Sequence, residues 1–202
     1  MSVVADNFNR ANGALGANWT IFHANALTIV SNQATISANT ANFGNRWSAN
    51  LFSANQYAQV TMAGYDNAAV DQYIWVLLYA SNSAESGYEI VASTNPTALS
   101  YIQKVVAGSG TILVKQATPT WNQGDILMGT ATPAGGGTLT VYRNGVSILT
   151  FNDSTFTSGY IGLACYSATP NATNTIMDDF QGGDLYRASK PVLQAVNRGA
   201  SF

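Results

Sequence analysis

The chain has 202 residues, of which 47% are hydrophobic and 9% are charged, and its formal net charge is −2. This length suits one domain with a substantial core, and the charge leaves no basic surface of the kind that nucleic-acid binding requires. Two glutamates stand against twenty asparagines, and Thr, Val, Ile and Tyr form strands better than helices. The composition therefore predicts an all-β protein with a largely uncharged polar surface.

The N-terminal residues and the single cysteine argue against secretion, membrane insertion and an internal disulfide. The N-terminal segment lacks both a basic stretch and a long apolar run, so we expect no signal peptide and no membrane insertion. A lone Cys165 cannot form an internal disulfide. Its apolar neighbours predict a small core residue in a buried strand.

Short runs separated by turn residues follow one another from residue 3 to residue 185. The run 57–63 alternates, with Ala58, Val60 and Met62 on one side, whereas the run 73–80 is apolar on both faces and predicts a central strand covered on both sides. The other predicted strands outside the hairpin described next are 3–8, 19–22, 27–30, 33–37, 46–47, 51–52, 87–92, 99–106, 111–115, 125–132, 160–166 and 176–185. Many short strands at such spacing are typical of a β-sandwich or barrel.

The clearest local signal is Asn144-Gly145, which lies between two alternating runs. Asn followed by Gly adopts the left-handed backbone of a type I′ turn at the least steric cost. Such a turn fixes the register of its hairpin, and here it predicts the pairs Arg143 with Val146, Tyr142 with Ser147, Val141 with Ile148, and Leu139 with Thr150. Leu139, Val141 and Ile148 are then expected on the core face.

A series of short motifs resembles the concanavalin A-like lectin/glucanase superfamily, in the laminin-G-like branch found in bacterial and bacteriophage proteins. The motifs are Asp6-Asn7-Phe8-Asn9-Arg10, Gly13, Leu15-Gly16, Asn18-Trp19, Trp121, Gly124-Asp125-Ile126-Leu127, Val141-Tyr142-Arg143-Asn144-Gly145-Val146, Gly159-Tyr160-Ile161-Gly162-Leu163, Asp178-Asp179-Phe180 and Gly182-Gly183-Asp184-Leu185. The resemblance covers residues 3–185 and implies an antiparallel jelly-roll β-sandwich of two sheets, one of them concave. It also implies that the first and last strands lie side by side. We therefore expect a jelly-roll domain over residues 1–185.

The sequence argues against catalysis. Glucanases of the superfamily carry a strand with the pattern E-x-D-x-x-E, which this chain lacks. Its only glutamates, Glu85 and Glu89, are ~13 Å apart if they share a strand, beyond the ~5–9.5 Å of a glycosidase carboxylate pair. His23 is the only histidine, which excludes a multi-histidine metal site. A pair of His23 with a serine or with Cys165 stays open, but neither partner lies in a recognisable motif. We predict a protein without enzymatic activity.

A structural calcium ion is the one cofactor that the resemblance suggests. If the terminal strands pair, Asp6, Asp178 and Asp179 are candidate oxygen ligands. The alternative is that these carboxylates accept backbone N–H groups at turns. No other cofactor is expected.

Carbohydrate binding requires aromatic rings that stack on sugars, with polar groups beside them for the hydroxyls. Strict alternation puts Tyr73, Trp75 and Tyr79 on one face of the strand 73–80. If that face is the concave one, they form a platform together with Tyr88 or Tyr101. The alternative is that these rings belong to the core.

Residues 186–202 differ from the rest, because they contain three of the eight basic residues and no acidic one. We expect either a frayed terminus or an arm that orders on a neighbouring subunit, with Arg187, Lys190, Pro191, Val192, Leu193, Val196, Arg198 and Phe202 as its candidate contacts. The arm, the low charge and the absent signal peptide favour a non-enzymatic bacteriophage virion protein, such as a head decoration, fibre or tail component. Its expected partners are other virion proteins or copies of itself in a homo-oligomer. The alternative function is a carbohydrate-binding module for a cell-surface glycan.

Overall fold

The computed structural model describes residues 2–37, 41–65, 71–93, 99–117, 120–168 and 175–185. The predicted C-terminal arm, 186–202, therefore lies outside the described residues. Within these ranges, no helix has both the length and the apolar character needed to cross a membrane.

Short strands make up most of the described chain. The first eight are β1 (Val3–Asp6), β2 (Gly13–Ala14), β3 (Trp19–Ile21), β4 (Thr28–Val30), β5 (Gln33–Thr35), β6 (Asn42–Trp47), β7 (Gln56–Tyr65) and β8 (Gln72–Ala80). The remaining elements are β9 (Gly87–Ser93), β10 (Leu99–Val106), β11 (Ser109–Ala117), β12 (Ile126–Thr132), the single turn α1 (Ala134–Gly137), β13 (Thr138–Arg143), β14 (Val146–Asn152), β15 (Tyr160–Ser167) and β16 (Thr175–Asp184). The all-β prediction is confirmed.

The strands form two antiparallel sheets that stack face to face. One sheet has nine strands in the order β14-β13-β12-β7-β16-β5-β4-β2, with β1 pairing beside β16, and the other has seven in the order β11-β10-β9-β8-β15-β6-β3. As expected, the first and last strands lie side by side, with Asp6 opposite Phe180. The architecture is the predicted β-sandwich.

The main core lies between the sheets and follows the alternation of the sequence. Ala58, Val60 and Met62 of β7 face inward and are fully buried, and they meet Ile74 and Val76 from β8 of the other sheet. Strand β8 is central in its sheet, as its two apolar faces predicted. Cys165 is buried in the same core.

A second, smaller apolar cluster covers the face of the seven-stranded sheet that points away from the core. We call this surface the outer face. Its buried members are Phe22, Trp75, Leu77, Ala80, Val91 and Ala164, with Tyr73, Tyr101, Tyr160 and Tyr166 packed against them. The sequence of β8 is continuously apolar because both faces of the strand are covered.

The predicted hairpin register holds at the turn and shifts beyond it. Arg143 pairs with Val146 and Tyr142 with Ser147, but a bulge at Ile148 then makes Val141 pair with Leu149. Leu149 is therefore the buried residue of β14, and Ile148 is only partly buried. One inserted residue moves every later side chain to the opposite face.

Two predicted strands are also shorter than expected. The first ends at Asp6 instead of Phe8, because Phe8 adopts a left-handed φ of 52°. The run 51–52 forms only an isolated bridge between Phe52 and Gly159. The predicted turn at Ser31-Asn32 is present, with both residues at left-handed φ of 52° and 66°.

Candidate functional site

Pairing across the seven-stranded sheet aligns side chains into rows on the outer face. The middle row runs from Gly44 through Ala164, Trp75 and Val91 to Tyr101. Beside it, one row joins Asn42, Tyr166 and Tyr73, and the row on the other side joins Leu77, Glu89 and Gln103. Residues that are far apart in sequence thus share one surface.

These rows line an open pocket of about 340 Å³, which we call the outer-face pocket. It is lined by Asn42, Asp71, Tyr73, Trp75, Glu89, Tyr101, Gln103 and Tyr166. Its volume lies within the ~300–1,000 Å³ of typical small-molecule sites. Four aromatic rings, two carboxylates and two amides line it, so it offers both ring faces and hydrogen-bonding groups.

The tyrosines of the pocket are arranged around Tyr73. Its ring centroid lies 6.3 Å from that of Tyr101 at an interplanar angle of 71°, and 5.9 Å from that of Tyr166 at 42°. All three side chains are partly exposed, whereas Trp75 beneath them is only 4% exposed. The tyrosines therefore offer the accessible ring surface, and Trp75 forms the floor.

The hydroxyl groups of Tyr73 and Tyr101 remain protonated at neutral pH. Burial, followed by the charge and hydrogen bond of Asp71, raises the pKa of Tyr73. Burial and the negative charge of Glu89 raise the pKa of Tyr101. Both residues can therefore donate as well as accept hydrogen bonds.

A buried histidine supports the floor of the pocket. His23 lies in the loop after β3, and its Nε2 lies 3.2 Å from the indole Nε1 of Trp75. The backbone N–H groups of Phe22 and His23 both point to the carbonyl oxygen of Gly44, at 2.8 and 3.4 Å. The loop is thus held against β6, which places the imidazole directly on the outer face.

Small residues beneath the imidazole make room for it. A Cβ atom added to Gly44 would lie 2.4 Å from Cδ2 of His23 and 2.7 Å from the Cβ of Ala164. Real Cβ atoms do not approach so closely. The glycine at position 44 therefore allows His23 to contact the sheet.

Both glutamates of the chain flank His23. Glu85 Oε1 lies 2.6 Å from Nδ1, and Glu89 Oε1 lies 3.1 Å from Nε2. Burial lowers the pKa of His23, but the contacts with Glu89 and then Glu85 outweigh burial and raise that pKa above its usual value. The carboxylates thus favour the imidazolium, in which both ring nitrogens carry a proton.

The two neighbours of Nε2 require different protonation states. The indole N–H of Trp75 can donate only to an unprotonated Nε2, whereas Glu89 Oε1 can accept only from a protonated one. Despite burial, the two flanking carboxylates raise the pKa of His23, so they favour the imidazolium with its Nε2–H towards Glu89. The other carboxylate oxygen of Glu89 accepts from Nε2 of Gln103 over 3.1 Å.

The glutamates do not have the arrangement expected from the sequence. Glu85 lies in the loop between β8 and β9, so it does not share a strand with Glu89. The His23 ring occupies the space between the two carboxylates. A substrate or water molecule therefore has no room between them, although paired-carboxylate hydrolysis requires one there.

Two of the five predicted platform residues belong to the core instead. Tyr73, Trp75 and Tyr101 do line one pocket, but Tyr79 and Tyr88 face the space between the sheets. Tyr79 has a left-handed φ of 52° at a bulge opposite Ile161, which turns it inward. Tyr88 pairs with the inward-facing Leu78 and bonds through its hydroxyl to Asp153.

Several residues of the site are not among those predicted from the sequence. They are Asn42, Asp71, Gln103 and Tyr166, together with His23 and Glu89, which the sequence suggested only as candidates for catalysis or metal binding. Tyr166 could have been found, because alternation from the buried Cys165 puts it on the outer face. The others depend on pairing between distant strands.

The three candidate calcium ligands are not gathered into a ligand set. Asp6 accepts from Arg10, the Trp19 indole and the Phe8 backbone. Burial raises its pKa, but these bonds outweigh burial and lower it. Asp178 accepts from Gln33 and from the backbone N–H of Asp179. The described part of the chain contains no group of three or more His, Cys, Asp or Glu residues that could hold a metal ion.

Comparison with solved structures identifies the fold. The chain is similar to the Emp47p carbohydrate recognition domain, with a TM-score of 0.61 and 10% identity over 91% of this chain and 95% of that one. It is also similar to the VIP36 exoplasmic/lumenal domain in its Ca2+/Man3GlcNAc-bound form, with a TM-score of 0.57 and 12% identity over 86% of each chain. A third similar structure is the carbohydrate-binding module CBM66 from Bacillus subtilis, with a TM-score of 0.54 and 13% identity over 83% of this chain and 92% of that one.

No protein-family model matches the sequence, and no curated protein matches it significantly. The identities to the solved structures are low, so the similarity concerns the fold alone. The chain has the concanavalin A-like jelly-roll fold of lectin domains, as the sequence motifs indicated.

Proposed function

We propose that this chain is a glycan-binding domain that holds a sugar in the outer-face pocket. The observation that carries the proposal is the pocket itself, in which three partly exposed tyrosines stand beside amide and carboxylate groups. The similar structures named above are carbohydrate-binding domains, which supports this function over the virion role.

Each class of side chain has a distinct task in such a complex. Sugar rings have apolar C–H faces, and a tyrosine ring offers a flat apolar surface at low entropic cost. The amides of Asn42 and Gln103 and the carboxylate of Asp71 offer donors and acceptors for hydroxyl groups. Glu89 acts from the floor, where Gln103 and His23 fix its position.

We further propose binding without hydrolysis. The only glutamates are Glu85 and Glu89, and both are committed to His23. Incubation with the glycan that binds best, followed by analysis of the products, tests this directly. A released reducing end that persists in the Glu89→Gln variant would point to catalysis elsewhere, and one lost in that variant would implicate the pocket.

A glycan array followed by calorimetry tests the proposal. We expect Tyr73→Ala and Tyr166→Ala each to weaken binding by about tenfold, since a stacking ring contributes on the order of 1–3 kcal/mol. Tyr142→Ala is the matched control, because Tyr142 is a partly buried tyrosine on β13 of the other sheet. Equal loss in the control, or no glycan bound by the intact chain, would contradict the proposal.

The virion assembly role stays a second hypothesis, which rests on the sequence of residues 186–202. It predicts that the full chain forms a symmetric oligomer or binds a capsid or tail lattice, and that virions are where the protein resides. Light scattering on the full chain and on a chain ending at Leu185 tests it. A monomer in both cases, with no binding to virion proteins, would remove this hypothesis and leave glycan binding untouched.

A further inference from the structure

The outer-face pocket carries two carboxylates, and no basic side chain is among the described residues that line it. Asp71 is exposed at its edge, while Glu89 is only 4% exposed on its floor. Hydroxyl groups of a neutral sugar can donate to these carboxylates, but they do not offset the charge in a partly desolvated site. A positive charge on the ligand would offset the charge of the carboxylates.

The aromatic walls of the pocket favour the same charge. A cation within ~6 Å of the face of a tyrosine or tryptophan is attracted by the ring, and more strongly where water is partly excluded. Tyr73 stands between Tyr101 and Tyr166, with centroid distances of 6.3 and 5.9 Å. A group the size of an ammonium beside Tyr73 is therefore within reach of more than one ring.

The negative charge does not depend on the protonation state of His23. With a protonated ring, His23, Glu85 and Glu89 together still carry one negative charge, and Asp71 adds another. With a neutral ring, the total is more negative. The described residues that line the pocket, together with His23 and Glu85 behind them, thus have an excess of negative charge in both states.

Two basic residues of the outer face lie near the pocket without lining it. Arg46 of β6 is in the row of Leu77 and Glu89, and its guanidinium donates to the carbonyl oxygens of Ile21 and Asn82. Lys115 of β11 lies opposite Tyr101, so it is one strand further from the pocket centre. It is exposed and does not line the pocket. Water screens an exposed charge far more than a buried one, so Lys115 has a minor influence on the floor of the pocket.

We propose that the outer-face pocket recognises a sugar with a protonated amine, such as a hexosamine whose amino group is not acylated. The ammonium group is placed against Glu89 and Asp71, and the sugar ring against Tyr73. This inference rests on the proposed glycan-binding function and specifies the class of sugar.

The test compares two ligands that differ only in acylation. Calorimetry at about pH 6, where a sugar amine is protonated, measures the affinity of the intact chain for a chitosan tetramer and for the N-acetylated tetramer. We expect the free-amine tetramer to bind at least about tenfold more tightly. This preference should fall as salt is added, because screening weakens charge attraction at the exposed edge.

Variants that each remove one carboxylate charge show where the amine binds. Asp71→Asn and Glu89→Gln should each reduce binding of the free-amine tetramer by about three- to tenfold and leave binding of the acetylated tetramer within about twofold. Asp179→Asn, which removes one charge on the other sheet at a backbone conformation that asparagine tolerates, is the control and should change neither. If Glu89→Gln does not fold, Asp71→Asn at its exposed position still tests the inference.

The failures of this inference and of the proposed function give different results. Equal or tighter binding of the acetylated tetramer would overturn the inference and leave glycan binding intact. An amine preference that persists in both variants would also overturn it, because the amine would then bind elsewhere. Binding of neither tetramer, nor of any glycan on an array, would overturn both proposals.

Discussion

Replacing Gly44 with alanine is the sharpest test of how the floor of the site is built. The new Cβ would lie 2.4 Å from Cδ2 of His23 and 2.7 Å from the Cβ of Ala164. Favourable carbon–carbon contacts lie at ~3.5–4.0 Å, so the imidazole must move by about 1 Å or leave the sheet. Gly44 does not have a left-handed φ, so the backbone itself accepts alanine and the effect measures this contact.

The expected cost comes from two sources. Overpacking alone costs ~1–3 kcal/mol. If the ring is expelled, the carboxylates of Glu89 and Glu85 lose their cation, and uncompensated buried charge costs up to ~3–5 kcal/mol. Glu85 is 29% exposed and water screens it, so we expect a total of ~2–4 kcal/mol. For a domain of this size, that lowers Tm by roughly 5–15 °C.

Urea unfolding of a double-mutant cycle measures the effect. The four proteins are the original chain, Gly44→Ala, His23→Ala and the double variant. Removing the ring first should reduce the cost of Gly44→Ala by at least ~1 kcal/mol, which is the coupling between the two residues. The residual cost reports the contact with Ala164. A Gly44→Ala variant as stable as the original chain, or an equal cost in both backgrounds, would refute this account of the site.

Three further predictions concern the protonation of His23, the bulge in β14 and the predicted calcium site. The folded-state pKa of His23 is raised above 6.5. The stabilising contribution of the protonated ring is therefore complete below about pH 6.5 and is lost as pH rises through the folded-state pKa. Urea unfolding of the original chain and of His23→Gln should show a difference in stability that shrinks as pH rises from about 6.5 through that pKa. Leu149→Ala should cost ~2–4 kcal/mol and Ile148→Ala ~1 kcal/mol or less, and the reverse order would support the register without the bulge. Because Asp6 is occupied by Arg10 and Trp19, millimolar calcium should leave Tm unchanged, and a rise of several degrees that Asp6→Asn abolishes would reveal a cation site.

The local features of the fold could be predicted because they depend on neighbouring residues. The strand over Tyr57–Ala63, the central strand from Tyr73 and the turns at Ser31-Asn32 and Asn144-Gly145 are all present. Alternation, apolar runs and turn chemistry act over a few residues, so they are visible in the chain itself.

Bulges limited what alternation could predict about the candidate site. Tyr73 and Trp75 lie on the outer face as their spacing indicates, but a bulge turns Tyr79 into the core. A bulge in β14 likewise makes Leu149 the buried residue, while Ile148 is only partly buried against the core. A single extra residue reverses the faces of all that follow, and nothing in these sequences marks the insertion.

The amino-acid sequence by itself determined the all-β class and most strand positions. The resemblance of its motifs to the superfamily also indicated that the first and last strands pair. Only the tertiary structure decided that Glu85 and Glu89 meet at His23, and that Tyr166 joins Tyr73 above Trp75. The physical reason is the range of the interactions. Strand formation is a local preference, whereas the pocket arises from pairing between β8, β9, β10 and β15 and from a loop held against Gly44. Contacts of that range are set by the packing of the whole sandwich.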